Sequence, residues 1–177
     1  MNTKQITTIS ASFLTLFFTA AIVCASPVPD TGQTQSYTNT FGEDADYTIN
    51  QHSYTDLGNG IVRDNITGLE WQKVAPTGTY TWANAVTYCD NLVLGSKSDW
   101  RLPTIKELST LVDRSIPSPG PTISTIFFPG TVAAGYWSST TYAYGTTSAW
   151  AVHFSSGSVR YSGKTSSTYV RAVRSGQ

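Results

Sequence analysis

Apolar residues begin to recur in a regular pattern near residue 53, after a polar stretch, and the compact part of the chain is expected to start there. Leu57-Gly58-Asn59-Gly60 reads as a turn, and the runs at residues 61–64 and 69–72 flank residues 65–68 as a hairpin. The period then changes from two to nearly four. Trp82, Ala85, Val86, Cys89, Leu92 and Val93 recur at helical spacing behind Thr81, a suitable N-cap. A second helix is predicted from Pro103, with Thr104 or Leu102 near its cap and Ile105, Leu108, Leu111 and Val112 as its apolar stripe. The proline-rich residues 115–120 end it. From Gly135 the pattern becomes strand-like again: residues 135–140, 148–154, a turn at 155–158, then 159–162 and 169–174. Trp150, Val152 and Phe154 alternate with Ala151 and His153, so one face is strongly apolar and His153 lies on the other. Strands, two helices, then a cluster of strands is the order of an α+β domain with an antiparallel sheet.

Upstream of that domain, residues 26–52 are polar and turn-rich, with the acidic cluster Glu43, Asp44 and Asp46 and one short strand expected at residues 35–38. The first 25 residues read as a secretory signal. Lys4 is its positive n-region, the apolar run at 13–24 is too short to span a bilayer, and Ala25 suits signal peptidase. Acylation of Cys24 is the rival reading, against which Val23 is a poor residue before a lipobox cysteine. No other stretch is apolar enough to cross a membrane. The expected division is signal 1–25, extended arm 26–52 and one domain over 53–177, exported to the periplasm or the exterior. Cleavage after Ala25 leaves Cys89 without an internal disulfide partner, and it reads as a buried thiol on a helix face.

Charge excludes some partners. With 11 basic and 11 acidic residues the formal net charge is zero, so no global field recruits nucleic acid or an anionic membrane. All the acids lie between Asp30 and Asp113; after them Arg114, Arg160, Lys164, Arg171 and Arg174 stand alone. Residues 136–169 have the Tyr/Trp/Ser/Thr/Gly mixture of an antibody paratope, rigid rings among small hydroxylated residues. They lack the carboxylates that a calcium site or a paired-acid hydrolase needs.

The candidates for ligand contact are therefore Tyr142, Tyr144, Arg160, Tyr161, Lys164 and Tyr169. Their rings can stack on a sugar or pack on an extended peptide, and Arg160 and Lys164 can meet sulfate or carboxylate. The competing reading of each is a solvent-facing strand residue of ordinary β-propensity. Trp71, Trp100 and Trp137 read as core, and Arg101 as an ion-pair partner of Asp99 or Glu107. One cysteine with His52 and His153 gives no metal-ligand spacing, and no GxSxG frames a nucleophile. No metal, cofactor or catalytic residue is expected.

Several segments taken in order, YTINQHSYTD, GIVRDNITGLEWQ, SDWRLPTIKEL, YWSS, AWAVHFSSG and YVRAVR, resemble the C-terminal domain of the Legionella collagen-like adhesin, a family otherwise known as a domain of unknown function. The resemblance covers nearly all of the chain after the signal. It implies a C-type-lectin-like fold, two helices packed on a small antiparallel sheet with long loops and paired terminal strands. It also implies export and binding of a carbohydrate or glycosaminoglycan, and the ring- and hydroxyl-rich end suits a glycan or protein ligand. Relatives carry a cysteine where this chain has Ala172; a bridge from that place to Cys89 would be lost here. The calcium chemistry of the lectin fold has no support in the acid-free last third. The alternatives are a structural subunit of an envelope assembly, or an enzyme of the formylglycine-oxidase-like fold, whose paired cysteines this chain lacks.

Overall fold

The computed structural model describes residues 27–47 and 49–176, so the signal expected over residues 1–25 lies outside them. The elements in chain order are β1 (Tyr54–Gly58), β2 (Ile61–Asp64), β3 (Leu69–Gln72), α1 (Trp82–Asp90), α2 (Ile105–Ser109), β4 (Gly135–Thr141), β5 (Ser148–His153), β6 (Ser158–Gly163) and β7 (Val173–Ser175). They form two antiparallel sheets, one ordered β1-β2-β3-β7 and the other β4-β5-β6, where a single sheet was expected. The class is α+β. Asn59 (φ 51°) and Gly60 (φ 81°) make the two-residue turn between β1 and β2, whose left-handed backbone favours those two residue types.

Thr81 occupies the N-cap of α1, but the helix stops at Asp90, short of the predicted stripe. The chain turns back at Gly95-Ser96, where Leu94 and Lys97 exchange two backbone hydrogen bonds of 3.0 and 3.1 Å, and Val93 is left exposed. In α2, Thr104 and Glu107 form a reciprocal capping box. That helix is only five residues long. Leu111 and Val112 are buried in the irregular chain beyond it.

Two apolar clusters hold the domain, and consecutive residues divide between them. Val62, Tyr136, Val152 and Val173 join Trp71, Leu108, Phe128 and Phe154 in one cluster. Ile61, Trp137, Ala151 and Ala172 join Cys89, Trp100 and Val170 in the other. Strand side chains alternate, so the two clusters lie on opposite faces of the strands; α2 contributes Leu108 to the first and α1 contributes Ala85 and Cys89 to the second. Trp71, Trp100 and Trp137 are core residues, as expected. Burying each removes on the order of 200 Å² from water, about 5 kcal/mol before entropy is counted.

The chain's end corrects the expected strand at 169–174. Only Val173–Ser175 is strand, paired with β3. Before it, Tyr169 lies beside β4, accepting a hydrogen bond from Trp137 N at 2.9 Å and donating one to Gly135 O at 3.1 Å. Four successive residues from Val170 to Val173 are buried, which no half-exposed strand permits. The segment is a seam between the two sheets. The first and last strands are not paired either, because β1 and β7 lie at opposite edges of their sheet. In the arm, residues 35–38 form no strand; they bend around Glu43, whose carboxylate accepts from Tyr37 N at 2.6 Å.

Candidate functional site

The β5–β6 hairpin extends past the core. Val152 and Phe154 are fully buried, whereas Val159 and Tyr161 on β6 are 43% and 55% exposed. Register places Trp150 opposite Tyr161, Val152 opposite Val159, and Ala151 opposite Arg160. Alternation therefore puts Trp150 and Tyr161 on the face whose inner end packs under α2, and Arg160 on the reverse face with Ala151 and His153.

Tyr142 reaches the same face through an irregularity in β4, where pairing jumps from Trp137–Ala151 to Thr141–Ala149. The extra residues are fastened. Ser138 Oγ donates to Trp150 O (2.7 Å), Ser139 N donates to Pro103 O (2.7 Å), and Ile105 N donates to Thr140 Oγ1 (3.0 Å). The bulge is thus tied to the start of α2. Beyond it Tyr142 N donates to Ser148 O at 3.0 Å, which closes the β4–β5 loop.

Four rings result from this scaffold. Tyr142 and Tyr161 stack with centroids 4.3 Å apart and planes 4° apart. Trp150 stands edge-on to both, at 5.3 and 5.8 Å. Tyr144, 94% exposed, tilts against Tyr142 at 5.8 Å. Rings that brace one another have little rotamer freedom left to lose on binding.

The remaining candidates go elsewhere. Arg160 is exposed on the reverse face. Lys164 Nζ donates to Thr141 Oγ1 (2.9 Å) and lies 4.3 Å from the centroid of Trp82, against α1. Tyr169 is half-buried, stacked on Tyr136 with centroids 5.4 Å apart. The structure brings together Tyr142, Tyr144 and Tyr161, and adds Trp150, which the sequence pattern had placed on an apolar face with Val152 and Phe154 and not among the ligand candidates. The available signal was the short turn after Phe154, which sets Trp150 against Tyr161.

Groups with reactive potential are occupied structurally. Cys89 is fully buried, its thiol pushed up to about 12 by burial and by Asp90. His153 is half-buried against Gly135, its pKa lowered by burial and then by Arg160. Arg101 grips both Glu107 oxygens at 2.6 and 2.8 Å, while Asp99 accepts from Arg174 Nε at 2.7 Å. Arg174 also pairs with buried Glu70. Arg171 is entirely buried. It donates to Gln72 O, Lys73 O and Thr131 Oγ1 at 2.5–2.7 Å, with burial drawing its pKa down to about 10. A cleft of about 630 Å³ lies apart from the rings, between residues 27–31 and α2, walled by Val28, Pro29, Leu69, Ile105 and Val112. The arm supplies one of its walls.

The segments that shape this interior are Leu69–Gln72 with buried Glu70 and Trp71, the run through Trp100 and Leu102, and the seam with Arg171 and Arg174. The sequence pattern of the Lcl C-terminal domain family matches residues 60–174, which include all three. The chain belongs to that family. No curated protein matches the chain. The Lcl C-terminal match runs from the β1–β2 turn into β7 and so includes the ring cluster. Among the described residues no helix is long and apolar enough to cross a membrane.

Proposed function

We propose that this chain is an exported, non-enzymatic recognition domain of C-type-lectin-like fold, and that it binds a glycan or protein ligand through the rings of Tyr142, Tyr144, Trp150 and Tyr161. The observation that carries the reading is the parallel Tyr142–Tyr161 stack with Tyr144 standing free beside it. Membership in the family of an adhesin's C-terminal domain supports it. The fold proposal rests on two helices packed against antiparallel strands and on the long irregular stretch between α2 and β4. Catalysis is disfavoured by a thiol held protonated in the core and a histidine whose neighbours are Gly135 and Arg160. Binding without calcium is proposed because no Asp or Glu follows Asp113, and Ca²⁺ needs several hard oxygen ligands.

The test is an array of immobilised glycans and matrix-type proteins probed with the full chain in the presence of EDTA. Binding is expected, and is expected to vanish in the Tyr142→Ala/Tyr144→Ala/Tyr161→Ala variant while surviving Arg160→Ser. Binding indifferent to the three tyrosines removes the site assignment; loss of binding in EDTA removes the calcium-free reading.

A further inference from the structure

Resting on that recognition reading, we infer that the ligand is an uncharged oligosaccharide, held by the apolar faces of its pyranose rings. Composition alone offered rings and cations together, which would suit a sulfated or uronic-acid polymer. The structure separates them. Arg160 projects from the reverse of β6, and Lys164 is committed to Thr141 and Trp82 on the α1 side. Among the described residues the recorded cation–ring contacts are over Trp82 and Phe128, outside the ring cluster. No fork of N–H donors accompanies the rings, so a charged group placed there would lose water without gaining a partner.

What the face does offer is aromatic carbon with short hydroxyls beside it. Ser148, two residues before Trp150, occupies the same face, and the β4–β5 loop adds Thr146 and Thr147, both exposed. This is the equipment for the C–H face and equatorial hydroxyls of a sugar. Area separates a saccharide from a protein. A stable protein partner covers about 800 Å² per side, whereas two largely open rings and two half-buried ones present on the order of 300 Å². That is a footprint for a few sugar units.

The experiment titrates the full chain with cellohexaose, chitohexaose and a heparin hexasaccharide by calorimetry at low and high salt. Binding of a neutral hexasaccharide, unchanged by salt, is expected. Tyr144→Ala and Tyr161→Ala each weaken it about tenfold or more, whereas Arg160→Ser leaves it in place. Tyr144 is so exposed that its variant tests binding and not folding. Salt-sensitive heparin binding that the tyrosine variants abolish would overturn the ligand class and leave the recognition face standing. Saccharide binding that survives both alanine variants overturns the face and the class together. If no saccharide binds, the class falls and a protein ligand at the same face takes its place, which the protein spots of the array measure.

Discussion

Residues 158–164 and residues 169–174 use the same residue types, tyrosine, basic and small residues, yet the first stretch is largely open to water and the second is buried from Val170 to Arg174. In the hairpin, β6 has a partner on one side only, so the residues alternating along it stay open and its basic residue, Arg160, is solvated. In the seam, sheets and helices close in from every direction. Arg171 is surrounded by carbonyls and Phe128, and Arg174 by Glu70 and Asp99. Composition does not distinguish a binding surface from a keystone. The number of covered sides does.

The largest test of that contrast is Arg171→Ala, which takes the guanidinium donors from the carbonyls of Gln72 and Lys73 and leaves a new cavity beside them. About 3–5 kcal/mol of stability should be lost, read by urea or thermal unfolding. Arg174→Ala leaves Glu70 buried without its closest cation and should cost about 3 kcal/mol in the same assay. In the opposite direction, Ala172→Cys places a thiol in the cluster that contains Cys89. Its oxidised form should gain about 2–4 kcal/mol, with the bridge seen by mass spectrometry. Hairpin substitutions should do far less: Tyr144→Ser should shift stability by under about 0.5 kcal/mol. A loss comparable to that of Arg171→Ala would erase the distinction between the open face and the seam.

The subtlest test uses pH. Burial and Arg160 hold His153 below the ordinary histidine value. It therefore binds its proton more weakly folded than unfolded, and stability declines as pH falls through the ordinary histidine range, levelling off below the folded midpoint. Arg160→Ser should raise the His153 midpoint in an NMR titration and lessen that decline. Tyr161→Ala, on the other face, should leave the midpoint where it was.

Much of the framework could be read from the chain because the deciding signals were local. Asn59-Gly60, Thr81, and Thr104 with Glu107 mark turns and caps within a few residues of themselves, and the strand runs at 61–64 and 69–72 coincide with β2 and β3. The seam was misread as a strand because its burial comes from neighbours about a hundred residues away, such as Gln72 against Arg171. Of the candidate site, the tyrosines on one face were legible from composition. Their separation from Arg160 and Lys164 was not, since it depends on the register of β5 with β6 and on the β4 bulge that turns Tyr142 toward Tyr161. Trp150 was missed for a related reason: alternation with Val152 and Phe154 assigns it a face but does not say where along that face the protein ends.

The seam at residues 169–173 also makes the two sheets depend on each other. Without it, the hairpin sheet lacks its Tyr169 neighbour and β3 lacks β7. One short thread therefore closes both halves of the domain, and loosening it should open them together. Chains ended before Tyr169 should accordingly remain sensitive to protease at concentrations that the intact domain withstands.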